Sequence, residues 1–130
     1  MKITKFEDLE IWTLSLKVTK LIYDFTSMEK FRKDFSLRDQ VRRSVISISA
    51  NIVEGFEKNN NNELIRYLKI SKGSVGETRN HLYIALAVGY LSQEEFTEAN
   101  ELLLTLANQV GKFISYLKSK KKRGEFSKTR

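Results

Sequence analysis

The chain has 130 residues and a net charge of +7, with 41% hydrophobic residues, no cysteine and no proline. That length suits one domain with a real core, while the missing cysteines exclude disulfides, thiolate metal sites and cysteine nucleophiles together. Acids in the opening Met1-Lys2-Ile3-Thr4-Lys5-Phe6-Glu7-Asp8 argue against a signal peptide, and no apolar run approaches the roughly 20 residues of a membrane span, so a soluble, cytoplasmic protein is expected.

The first helix is predicted over residues 8–27. At about 100° per residue its apolar side chains form two stripes. One holds Ile11, Leu14, Val18, Leu21, Ile22 and Phe25, and the other holds Leu9, Trp12, Leu16 and Tyr23. A helix with one buried face needs one stripe, so the second set is expected to meet a neighbouring protomer.

A polar connection over 28–33 leads to a second helix at 36–56, for which Ser36 is the expected N-cap with Asp39 in a capping-box position. Its apolar stripe reads Leu37, Val41, Val45, Ile48, Ile52, Phe56. Beside it runs a polar stripe of Gln40, Arg43, Ser44, Ser47, Asn51 and Glu54, bordered on the far side by Ile46, Ala50 and Val53. Polar groups between two apolar stripes are expected to be partly buried and therefore paired. Arg43 is expected to meet Glu77 or Glu54, in a structural network of Arg43, Ser47, Asn51, Glu54, Ser74 and Glu77.

Gly55 and the asparagines of residues 59–62 close this helix, and the third opens at Asn61 or Asn62 and runs to Val88, roughly 40 Å. Its stripe is Leu64, Leu68, Ser71, Val75, Thr78, Leu82, Ala85. Gly73 and Gly76 each cost about 1 kcal/mol relative to alanine, which a closely approaching neighbour would explain. Gly89 suits the left-handed position after a helix. Ser92-Gln93-Glu94-Glu95 is a capping box opening a fourth helix over 93–119, with the heptad seam Phe96, Ala99, Leu103, Leu106, Val110, Phe113, Leu117. Short connections make successive helices antiparallel neighbours, so residues 1–119 are expected to form an all-α, antiparallel up-down four-helix bundle.

Residues 120–130 form a basic tail, expected to be disordered. From residue 118 to the end there are seven bases against one acid, leaving a net charge of only +1 on residues 1–117. Segregated charge of this kind points to a polyanionic partner. Candidate nucleic-acid contacts are Arg38 and Arg42 on the second helix, Arg66, Lys69 and Lys72 on the third, and Lys118, Lys120, Lys121, Lys122 and Arg123 at the end. No nucleophile stands beside a base, His81 is the only histidine, and the Glu-x-x-His pair of di-iron bundles does not occur. The expectation is accordingly a non-enzymatic protein with no catalytic residues, metal or cofactor, no small-molecule substrate and no membrane partner.

The run Gln40-Val41-Arg42-Arg43-Ser44-Val45-Ile46-Ser47-Ile48-Ser49-Ala50-Asn51-Ile52-Val53-Glu54-Gly55 resembles the signature of the four-helix bundle proteins encoded by intervening sequences in bacterial 23S rRNA genes. Phe6-Glu7-Asp8-Leu9-Glu10-Ile11-Trp12, Tyr67-Leu68-Lys69-Ile70-Ser71-Lys72-Gly73-Ser74-Val75-Gly76-Glu77 and Gly89-Tyr90-Leu91 extend it to about Leu117. The resemblance implies a homopentameric ring, and it is similar too to the accessory protein of diversity-generating retroelements, a basic pentamer that works with nucleic acid. Ser49 stands where the family often has proline and Ser36 where glycine is common, and the first connection lacks its usual proline. The function expected is an oligomeric scaffold binding RNA or another nucleic acid. The alternative is a protein–protein interaction scaffold with no nucleic-acid role.

Overall fold

The computed structural model describes residues 3–122, which contain helices and no strand. After a single 3-10 turn at Phe6–Asp8 come α1 (Glu10–Thr26), α2 (Glu29–Lys33), α3 (Phe35–Glu57), α4 (Asn61–Ala87) and α5 (Gln93–Lys122). Four of these helices are long, and α1 packs on α3, α3 on α4, α4 on α5, and α5 back on α1. Cross-links fix the directions. Ser44 meets Thr78 and Ser47 meets Ser74, so numbers rise along α3 as they fall along α4. Tyr83 lies against Phe96 and Arg79 bonds Asn100, which makes α4 and α5 antiparallel in turn. The shared interior is filled by side chains such as Val18, Ile22, Ile48, Leu68, Leu82 and Leu106, all fully buried.

The second stripe of α1 is covered in part from within the chain. Thr4 and Lys5 donate backbone N–H bonds to Asp8 Oδ2 (3.0 and 3.2 Å), and the Thr4 hydroxyl adds a third (3.1 Å). These donors, the Thr4 N–H foremost, hold the Asp8 carboxyl below its ordinary pKa. The turn they close sets Phe6 edge-on against Trp12, with ring centroids 5.3 Å apart. Leu9 is buried, and the Arg42 guanidinium lies 4.4 Å over the half-buried Tyr23 ring. Leu16 alone of the four is exposed, at 44%.

The first connection also differs from the polar linker expected. It contains α2, whose Phe31 is fully buried and packs 5.4 Å from Tyr90. One buried phenylalanine among charged residues is too short a signal for periodicity to register. α3 therefore starts earlier than the pattern suggested, and its N-cap is Asp34, which accepts from the Leu37 N–H (3.1 Å), instead of Ser36. That bond and a second from the Tyr90 hydroxyl (2.9 Å) lower the Asp34 pKa.

The remaining ends follow the sequence signals. Asn59 takes a φ of 57° after α3, and Asn60 caps α4 by accepting from the Glu63 N–H (3.0 Å). Gly89 has a φ of +84°, and the Tyr90 and Gly89 N–H groups bond back to Ala85 and Leu86 at 2.8 and 3.1 Å in a Schellman closure. At the start of α5 the Ser92 N–H donates to Glu95 Oε1 (2.8 Å), and the Glu95 N–H donates to Ser92 Oγ (3.1 Å). α5 itself continues through Lys122, beyond the helix expected to stop at 119. No helix among the described residues is long and apolar enough to cross a membrane.

Candidate nucleic-acid interface

α4 is the shared element of two unlike surfaces. On its α3 side the polar stripe becomes a row of small hydroxyls. The Ser71 hydroxyl donates to the Ile48 carbonyl (2.8 Å), and the Ser74 hydroxyl donates to Ser47 Oγ (2.9 Å). Thr78 donates to Ser44 Oγ (2.8 Å), and Asn51 donates to Ser47 at its carbonyl and hydroxyl (2.8 and 2.9 Å). The helices approach closely at Gly55, where a Cβ would fall 2.7 Å from Tyr67 Cβ. Beyond it the Tyr67 hydroxyl donates to Glu54 (3.1 Å).

Arg43 and Glu77 do not join this network as expected. Arg43 is exposed and has no hydrogen-bond or ion-pair partner among the described residues. Glu77, 57% exposed, reaches only His81 Nε2 at 3.9 Å. The seam marked by the Ser47–Ser74 bond continues through Ser44 and Thr78, and Arg43 and Glu77, next to those two in the chain, lie around each helix on its exposed side. Ser71 and Thr78, read as members of an apolar stripe, supply the buried hydrogen bonds in their place. His81 Nε2 is buried without a hydrogen-bond partner.

The candidate cations divide by what they touch. The Arg38 Nε–H donates to Asp39 (2.9 Å) and its Nη1 donates to the Arg32 carbonyl (3.1 Å). Arg42 donates to Thr26 Oγ1 (2.8 Å) and lies over Tyr23 in the α1–α3 seam. Arg66 forms a forked pair with Glu63 (3.0 and 3.1 Å), which lowers the carboxyl's pKa and raises that of the guanidinium. These three arginines are engaged inside the chain. Lys69, Lys72 and Lys118 are exposed and have no carboxylate partner among the described residues. Lys120 lies 5.7 Å from the Tyr116 ring. Lys121 and Lys122 end α5, their side chains falling outside the described residues, as does Arg123.

The structure adds Lys112, also exposed and unpaired. Lys72 and Lys112 wall an open groove of about 590 Å³ between α4 and α5, with Asn108 and Ser115 on its rim. Its floor is Leu104, Ala107 and Gly111. A Cβ at Gly111 would stand 3.5 Å from Lys72 Nζ, and nothing other than Lys72 comes within 4 Å of it. A mid-helix glycine costs about 1 kcal/mol, and here the end of Lys72 would stand only at ordinary contact distance from a Cβ. Gly73 and Gly76 meet nothing within 4 Å, so the close neighbour expected for them is not found among the described residues.

The charge pattern around the groove was available in the sequence. Residues 64–76 of α4 contain Arg66, Lys69 and Lys72 with no acid, and residues 102–122 of α5 contain five lysines with no acid. Antiparallel packing lays these two stretches side by side, Lys72 against Gly111. Summing charge along the chain spreads them over two distant windows; pairing α4 with α5 brings them together.

The chain matches the family described as 23S rRNA-intervening sequence protein over residues 7–115. It is similar in structure to a protein of unknown function from the S23 ribosomal protein family of Bacteroides thetaiotaomicron VPI-5482, with 25% identity and a TM-score of 0.73. That likeness covers 80% of this chain and 97% of the other. No curated protein matches.

Proposed function

Because the chain belongs to the 23S rRNA-intervening sequence protein family, we propose for it a role that its α4–α5 face supports: a non-enzymatic scaffold that binds RNA through phosphate contacts. The observation that carries this reading is the gathering of Lys69, Lys72, Lys112 and Lys118 on two adjoining acid-free helix segments, none of them neutralised by a carboxylate among the described residues. Unpaired ammoniums on a shared face attract a polyanion by releasing its counterions. The bases at 118–130, net +6, add to the positive charge of the chain. Contacts of this type carry no base specificity, which suits a protein reading RNA by shape and charge.

Self-association, as a homopentamer, is the second part of the proposal, and the outer α3–α4 face offers a surface for it. Ile70 is 43% exposed there; Arg43 has no ion-pair partner among the described residues, and Glu77 has only the 3.9 Å contact to His81. A second copy would supply each with the opposite charge. A ring would multiply weak phosphate contacts by raising their effective concentration. A fall in solution mass on Ile70→Lys supports that surface, and an unchanged mass removes it.

The RNA reading is tested by comparing the full chain with a version ending at Leu117, on a structured RNA over about 50–200 mM salt. Salt-sensitive binding by both, tighter in the full chain, is the expected result. No binding by either at the lowest salt overturns the reading and favours a scaffold for proteins.

A further inference from the structure

The proposal that RNA is the ligand leaves open where on the molecule a strand would lie, and the groove between α4 and α5 has the chemistry of one defined seat. Its walls are two ammoniums, Lys72 and Lys112, with no carboxylate partner among the described residues. Asn108 brings an amide and Ser115 a hydroxyl to the same rim, so neutral hydrogen-bond donors stand beside the charges. The floor of Leu104, Ala107 and Gly111 is apolar and shallow. Charged walls over an apolar floor match a group that is anionic on one edge and carbon-rich on another, as a phosphodiester with its attached ribose is.

We propose that this groove seats one phosphodiester of an RNA strand, the phosphate oxygens between Lys72 and Lys112 and the sugar on the Leu104–Ala107 floor. The inference rests on the RNA reading and deepens it. Gly111 supports it independently of charge: the only atoms among the described residues that a Cβ at this position would meet within 4 Å are the Nζ and Cε of Lys72, both at ordinary contact distance. No packing against another helix requires a glycine there, and without a side chain the groove stays open beside Lys72. Length argues for a strand over a single phosphate. The acid-free part of α4 runs for roughly 20 Å and that of α5 for roughly 30 Å, with Lys69 and Lys118 continuing the line of charge beyond the groove.

The test uses the full chain, a fluorescein-labelled RNA hairpin, and anisotropy titrations over about 50–200 mM salt. Lys72→Gln/Lys112→Gln is compared with Lys17→Gln/Lys30→Gln, which removes the same charge from exposed, unpaired lysines on α1 and α2. The groove pair should lose roughly tenfold in affinity at the lowest salt, with a salt slope shallower by about 1.4, the share of two contacts to a single strand. The control pair should leave the slope unchanged. Gly111→Leu keeps every charge but fills the floor, and should weaken binding severalfold while its helical circular dichroism stays that of wild type. If wild type binds and the two pairs weaken it equally, or Gly111→Leu binds as wild type, the groove is not the seat, though the RNA reading stands. If wild type itself fails to bind, both fall together.

Discussion

The two sides of α4 use polar residues in opposite ways. Toward α3, serines, a threonine and an asparagine are buried or half-buried and satisfied one against another, with Gly55 allowing the backbones to close. Toward α5, lysines are exposed and unsatisfied, and Gly111 leaves open space instead of admitting a neighbouring helix. Short neutral groups can be buried at modest cost once paired. Lysine ammoniums cannot, so they stay in water where a ligand can reach them. The comparison teaches that a polar stripe beside an apolar one is structural when its groups are small and internally paired. It is a candidate binding surface when its groups are long, charged and of one sign.

The strongest way to break this division is at Gly55. Gly55→Leu forces a side chain into Tyr67 and the Leu64 carbonyl and should destabilise the fold by about 3 kcal/mol in urea unfolding. A melting curve like that of wild type would mean that the seam is loosely packed and the contrast with the α4–α5 side is unfounded. A milder probe is Thr78→Val, which keeps the shape and removes the bond to Ser44. Ser44 retains the Val41 carbonyl as acceptor (3.1 Å), so no buried donor is orphaned and the expected loss is about 1 kcal/mol.

Much of this arrangement was legible in the residues. The heptad spacing of α5 and the 4-3 spacing of α4 placed most of their core positions, although Ile114 is buried where the seam names the half-buried Phe113, and Ser92 with Glu95 and Gly89 located the turn between them. These signals are local, so one chain segment carries the whole pattern. What the residues hide has a different cause. The partial cover of the second stripe of α1 is a 3-10 turn and an arginine from α3, neither of which has a period. Arg43 was paired with carboxylates because a helix wheel gives angle but not how far a side chain stands from the seam. Lys112 gains a charged neighbour only through Lys72 of α4, forty residues earlier in the chain. In the same way, Ser71 and Thr78 look like faults in an apolar stripe until the facing residues of α3 are known.

The smallest expected effect concerns pH, and it sharpens the contrast because the α3–α4 row of hydroxyls does not titrate. Acid sensitivity should arise at the ends of helices instead. Asp34 caps α3 and accepts the Tyr90 hydroxyl, so its pKa in the folded chain lies below the ordinary 3.8, first because of the Leu37 N–H and then because of Tyr90. A lowered carboxylate pKa contributes stability that is complete above the unfolded value and is lost as pH falls through the folded one. Tyr90 is shifted the other way, its pKa raised above 10.0 chiefly by the bond to Asp34. Its contribution is complete below the unfolded value and disappears as pH rises through the folded one. One hydrogen bond is thus bracketed by an acid edge and an alkaline edge. Melting temperature measured across pH should fall by a few degrees at each end. Tyr90→Phe should flatten the alkaline edge while leaving most of the acid edge, because the Leu37 N–H still favours the Asp34 anion. Asp34→Asn should flatten the alkaline edge and reduce the acid edge, to which Asp8 and Glu63 still contribute. If Tyr90→Phe leaves the alkaline edge as steep as wild type, the Asp34–Tyr90 bond is not what ties the start of α3 to the segment after α4.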